Sequence, residues 1–232
     1  MNIKQVLRQT GLIVGLVGLA GSSWAAGTVT GKIAFQGTPP PMMVIKKGAD
    51  PVCAKTPPEK DQQVVVNGNG TLKNVVVRIV KGTPQTPPPA TPVVLDQHDC
   101  SYHPRVLAVM TGQKVQIKNN DPVLHNVHTY QDSKTLFNRA MMAKMPTPVE
   151  QVFPVGVTKF KCDVHPWMTA WVVANDNPYF GVSGDSGTFT LANLPAGTYT
   201  LEAWHEKYGV QTKEIAVAEG QTATADFSFK AQ

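Results

Sequence analysis

Beyond residue 25 the chain sustains no helical period; short β-branched apolar runs recur instead, each closed off by Gly, Pro, Asn or Asp. Such a pattern suits half-buried strands and denies a helix the long amphipathic stretch it needs. The predicted class is all-β, with strands over 29–35, 64–66, 75–80, 93–95, 106–109, 114–118, 126–130, 157–161, 170–174, 188–191, 199–204, 212–217 and 223–229. Two proline-rich stretches, 38–42 and 83–92, read as surface loops because proline has no hydrogen to give to a sheet ladder. Residues 136–148, with Met141, Met142 and Met145, read as a longer excursion or a short helical turn.

The N-terminus has a different character. Lys4 and Arg8 precede an apolar run over 11–21 and then Ser22-Ser23-Trp24-Ala25-Ala26, the three-part layout of a secretory signal peptide cleaved after Ala25. The run is too short to cross a bilayer comfortably, so an uncleaved anchor is the weaker alternative, and no later segment qualifies as a span. The expected location is the periplasm, with no stable membrane insertion after cleavage. Residues 1–25 carry Lys4, Arg8 and no acidic residue, so their removal lowers the formal charge from +5 to +3. That charge is mild and its lysines are scattered, which argues against nucleic acid. Around 175–178 the chain enters a region with its own turn signals, so units of 26–175 and 176–232 are expected.

The chemistry is concentrated in Cys162-Asp-Val-His165-Pro-Trp-Met168, with His125 upstream in Leu124-His125-Asn126-Val127-His128. One thiolate, two imidazoles and one thioether form the donor set of a mononuclear electron-transfer copper site, which must suit soft Cu(I) and harder Cu(II) alike. Alternation over 156–162 puts Phe160 and Cys162 on one strand face and Lys159 and Lys161 on the other, so Cys162 points inward at a strand end. Pro166 fixes its own φ and stiffens the turn that follows. Zinc fits less well, since thioether sulfur is not among its usual ligands. A catalytic Cys–His pair leaves Met168 and His125 unexplained, so no enzyme is expected. If Cys162 holds metal, Cys53 and Cys100 are left over, and an oxidising compartment favours a disulfide between them, with free buried thiols the alternative.

The ligand loop resembles that of the cupredoxins, and its C-x-x-H-x-x-M spacing is most similar to the amicyanin branch. The stretch Pro122-Val-Leu-His125-Asn126-Val-His128 resembles the same branch, where the His before Asn is the ligand. The resemblance covers residues 100–175 and implies a Greek-key β-sandwich holding one type 1 copper, with His125, Cys162 and His165 equatorial and Met168 axial. It gives the ligand role to His125 and not His128, has Asn126 pin the two ligand loops together, and makes His165, flanked by Pro166 and Trp167, the electron exit and docking edge. The Gly187 to His205 stretch is similar to carboxypeptidase regulatory-like or transthyretin-like domains, which implies an additional small β-sandwich at the C-terminus. That sandwich is short and would borrow a strand such as 28–36, and its fold alone assigns no function.

Together these imply a periplasmic carrier of single electrons between redox partners, one of them a periplasmic redox protein or enzyme. A copper-handling protein without electron shuttling is the first alternative. An exported binding module with a structural metal site is the second. His98, His103, His128 and His205 read as ordinary surface or core residues. Met141, Met142 and Met145 read as packing or docking residues in preference to transient Cu(I) ligands.

Overall fold

The computed structural model describes residues 25–231, so the expected signal peptide falls, apart from Ala25, outside the described residues. The all-β class holds: the described residues form seventeen strands and one single-turn 3-10 helix at Cys53–Lys55. In chain order β1 (Gly27–Gln36) and β2 (Val76–Lys81) come first. Then follow β3 (Val93–His98), β4 (Ser101–His103), β5 (Val106–Met110), β6 (Val115–Asn119), β7 (His125–Gln131), β8 (Lys134–Met141), β9 (Met145–Gln151), β10 (Gly156–Lys161) and β11 (Thr169–Asn175). The last group is β12 (Phe180–Val182), β13 (Thr188–Leu194), β14 (Gly197–His205), β15 (Gly209–Val217), β16 (Thr222–Thr224) and β17 (Phe227–Lys230). Among the described residues no helix is long and apolar enough to cross a membrane.

The first sandwich stacks the sheet β5-β11-β10-β7-β8 on the sheet β4-β3-β6-β9. Between them lie Leu95, Val115, Ile117, Val127, Phe160 and Val172. Period-two alternation does the sorting: β6 buries Val115, Ile117 and Asn119 and turns Gln116 and Lys118 outward. Strand β11 has no solvent face over most of its length, because Val172 packs into this core while Val173 packs outward against Val76, Val106 and Trp204. That second contact joins the first sandwich to its neighbour.

The second sandwich stacks the sheet of β13, β1, β16 and β17 on the sheet β12-β2-β14-β15, around Ile33, Leu72, Ile79, Leu201 and Phe229. Strand β1 pairs with β13 on one side and with β16 and then β17 on the other, so the borrowed strand is the middle of its sheet. Strand β2 pairs with β12 and β14. The expected division at residue 175 places 27–36 and 76–81 with the first unit, whereas their ladders lie in the second. The cause is that β1 is the middle strand of one sheet of that sandwich and β2 an inner strand of the other, so 176–232 alone completes neither sheet. Strands β3 to β11 are therefore inserted between two strands of the second sandwich.

The expected excursion over 136–148 is instead strands β8 and β9 joined by a tight turn, in which Lys144 has φ +46°. Both are edge strands. Strand β8 is exposed or half-exposed along its length except at Met141, so it shows no apolar alternation. Strand β9 carries Pro146 and Pro148, which an edge tolerates.

Candidate metal centre

Two segments converge at one end of the first sandwich. The inward face of β7 begins with His125, and β10 runs antiparallel to it, with Lys161 opposite His128, so the chain leaves β10 beside the start of β7 with Cys162 next in line. The loop from Cys162 turns back into β11, and the amide of Met168 donates to the His165 carbonyl at 2.9 Å to close it. His125, Cys162, His165 and Met168 are all buried, with at most 1% of any of them exposed.

Nδ1 of His125 lies 2.8 Å from Nδ1 of His165, and Sγ of Cys162 lies 3.7 Å from the latter. One donor atom from each of His125, Cys162 and His165 fits within a 4.8 Å sphere. Met168 belongs to the same buried cluster as Cys162. His128 points to the other strand face, hydrogen-bonded to Asp163, Thr135 and the Tyr130 hydroxyl. It takes no part in the donor group.

Two carboxylates stand behind the imidazoles. Asp121 Oδ2 is 2.8 Å from His125 Nε2, and Asp50 Oδ2 is 3.4 Å from His165 Nε2. Each carboxylate accepts a hydrogen bond from Nε2–H and so leaves Nδ1 to face the shared site, the outer partnership that orients metal-ligating histidines. Burial opposes charge on His125, but Asp121 and Cys162 outweigh it and raise its pKa above the ordinary value. Burial pushes the Cys162 thiol up, yet the His125 ring and the amides of Asn126, His165 and Val164 hold it below the usual thiol range. Burial, aided by the charge of His125, keeps His165 low despite Asp50. The group thus favours a thiolate and a proton shared by the imidazoles at the place where a cation would sit. Two imidazoles, a thiolate and a buried thioether fit copper.

Asn126 ties the two ligand segments. Its backbone amide donates to Cys162 Sγ at 3.4 Å, its Oδ1 accepts from the Asp163 amide, and its Nδ2 donates to Asp163 at 3.0 Å and Asn138 at 2.7 Å. Cys53 and Cys100 form a disulfide. It fastens a segment outside both sandwiches over the site: Lys47 reaches Glu59 and the Asp99 carbonyl, Glu59 accepts from Ser101, and Asp50 covers His165.

This cover changes the expected exit edge. His165 is 1% exposed, because Asp50 and Cys53 lie where solvent would otherwise reach it. Pro166 is exposed and Trp167 half-buried, with the indole ring centred 5.1 Å from His165 and its Nε1 donating to the Cys100 carbonyl at 2.9 Å. Both residues line a groove of about 620 Å³ together with Met43, Val44, Lys159 and Trp171. Sequence reasoning missed Asp121 and Asp50. The first had a signal, a carboxylate four residues before His125 in the same turn, whereas the second lies over a hundred residues from its partner and had none.

The remaining candidates stay apart from this group. The rings of His98 and His103 stack on each other at 3.9 Å, and His205 is buried in the second sandwich against Phe229 and Tyr208. Met141 is buried, Met145 half-buried and Met142 63% exposed.

A family model of the carboxypeptidase regulatory-like domain matches residues 169–230, from β11 to the end of β17. Among solved structures, a purple cupredoxin from Nitrosopumilus maritimus is 26% identical, covering 36% of this chain and 99% of its own, with a TM-score of 0.32. The chain is similar to cupredoxins. Amicyanin from Paracoccus versutus is 18% identical over 43% of this chain and 97% of its own, at a TM-score of 0.33. A Cu-containing nitrite reductase from Thermus scotoductus is 18% identical over 43% of this chain but 25% of its own, at 0.34. None of the curated proteins matches the sequence.

Proposed function

We propose that this protein is an exported type 1 copper protein that carries single electrons between redox partners in the periplasm, without catalysing a reaction of its own. The observation that carries the reading is the buried donor group of His125, Cys162 and His165, each imidazole turned inward by a carboxylate. Bound copper would supply a one-electron couple. The chain's own residues do the rest. His125, Cys162, His165 and Met168 would hold the metal, and Asn126 keeps the two segments from drifting apart. A buried donor group fixed at both ends changes little between oxidation states, which lowers the cost of electron transfer.

Because His165 is covered, Trp167 is the aromatic side chain that leads from it to the groove, and we place the docking face there with Pro166 at its rim. The positive rim formed by Lys46, Lys159 and Arg105 is partly offset by Asp61 and Glu206. The second sandwich serves as the carrier's structural or binding module.

The deciding experiment adds Cu(II) to the mature protein. The expected result is the intense visible thiolate-to-copper colour, lost in Cys162→Ala; a colourless adduct in the unmodified protein overturns the reading. Copper handling is the second reading, favoured by the burial of His165. Reversible voltammetry supports shuttling, and rapid loss of copper to a chelator supports handling.

A further inference from the structure

The disulfide lies against the same histidines that face Cys162. A sulfur of Cys53 shares a 4.8 Å sphere with donor atoms of Asp50 and His165, and a sulfur of Cys100 shares another with donor atoms of Asp121 and His125. Each imidazole therefore belongs to two donor groups, one containing Cys162 and one containing half of the cystine. Both halves are buried, as are the two histidines. A cystine sulfur is a poor ligand, whereas a thiolate is a soft and strong one.

The segment carrying Cys53 belongs to neither sandwich. Among the described residues its one ladder contact is an isolated bridge between Val44 and Lys60, and besides the disulfide it is held by Lys47, Asp50, Glu59 and the Asp61–Arg105 pair. Around Cys53 the residues Pro51, Val52, Ala54 and Lys55 are exposed, so this short stretch can fray without disturbing a sheet. With His165 covered, copper reaches the donor group of Cys162 past this segment, and slowly while the disulfide holds it in place.

We propose that reduction of the Cys53–Cys100 disulfide by a dithiol turns this cover into a second Cu(I)-binding station, built from the two cysteine thiolates beside His165 and His125, through which copper enters and leaves the buried site. This rests on the copper reading given above. A thiolate of the dithiol attacks one cystine sulfur and breaks the S–S bond, forming a mixed disulfide. The second thiol of the reductant resolves it, so two electrons and two protons pass to Cys53 and Cys100 while the dithiol closes into its own disulfide. On binding Cu(I) the two thiols release their protons to solvent. Exchange with the disulfide form of such a dithiol reverses these steps: two electrons and two protons pass back to it, the Cys53–Cys100 bond re-forms, and copper keeps only the inner donor group.

The test compares metal-free mature protein in its oxidised form with the same protein reduced by dithiothreitol and freed of reductant without oxygen. Each is titrated with Cu(I) against a chromophoric chelator. The expected uptake is one equivalent per chain when oxidised and two when reduced, with the Cys53→Ser/Cys100→Ser double variant staying at one. Bound Cu(I) should also shield Cys53 and Cys100 from iodoacetamide in mass spectra of the reduced native chain, a readout that does not depend on the double variant folding. One equivalent in both forms, unshielded cysteines, or a disulfide that dithiothreitol does not reduce in the folded protein overturns the station and leaves the inner site standing. An oxidised protein that takes up no copper brings down both.

Discussion

Nδ1 of His125 and Nδ1 of His165 face each other at 2.8 Å, closer than two neutral lone pairs tolerate, so one ring must donate to the other. Without metal, a proton occupies the place where a cation would sit. The carboxylates of Asp121 and Asp50 stabilise that proton, and they would also hold both rings in the tautomer that a metal needs. Metal uptake is then an exchange of cation for proton, favoured as pH rises.

Asp121→Asn keeps the shape of the outer partner but removes its charge. Loss of such a partner weakens metal affinity by about 10- to 100-fold. A competition titration with Cu(II) should show a drop of that order, while an unchanged affinity would mean that Asp121 only fills space.

His125→Ala and His128→Ala separate the two imidazoles of the His-Asn-Val-His stretch. The first should abolish the thiolate-to-copper colour. The second should leave it intact, because His128 faces Asp163 and Tyr130 on the other side of β7. An absorption spectrum that survives in the His125 variant would reassign the site.

His205 reports on the second sandwich. Burial, with Arg105 and Lys207 nearby, lowers its pKa from 6.5 to about 4. Its Nδ1 accepts from the amides of Lys207 and Tyr208 at 3.2 and 3.3 Å, contacts that suit the neutral ring. Because the folded pKa is the lower one, the unfolded chain binds a proton first. Stability should be full above about pH 6.5, fall as pH drops toward 4 and level off below, for a loss of about 3 kcal/mol. Urea unfolding at a series of pH values should show this slope, and His205→Gln should flatten it.

Gly31→Ala probes the centre of β1. A Cβ there would meet the Ala225 carbonyl and stand 2.5 Å from the Phe189 ring, so the sheet must shift. Overpacking of this kind costs about 1–3 kcal/mol. Thermal unfolding should move to lower temperature, while the copper colour, which depends on the other sandwich, should be unchanged at 25 °C.

The inward strand that ends at Cys162 was legible because Phe160 and Cys162 alternate with two lysines, and the short spacing to Met168 pointed to a compact ligand loop. Strands β8 and β9 were not, since an edge strand with almost no buried face leaves no period to read. Nor was the home of β2, whose Val76 and Val77 are buried on opposite faces and look alike in any sheet; only its pairing with Ala203 and Gly181 places it. Asp50 escaped for a third reason: its contact with His165 bridges 115 residues of chain and comes from a segment that joins neither sandwich.

In the β2 and β12 pair, Arg78 lies opposite Phe180 and Val76 opposite Val182, so the end of one strand stands beside the start of the next as in a hairpin. The entire sandwich that carries His125, Cys162 and His165 sits where that hairpin's turn would be. An insertion at such a point breaks no ladder of its host, so each sandwich keeps a hydrogen-bonding network of its own.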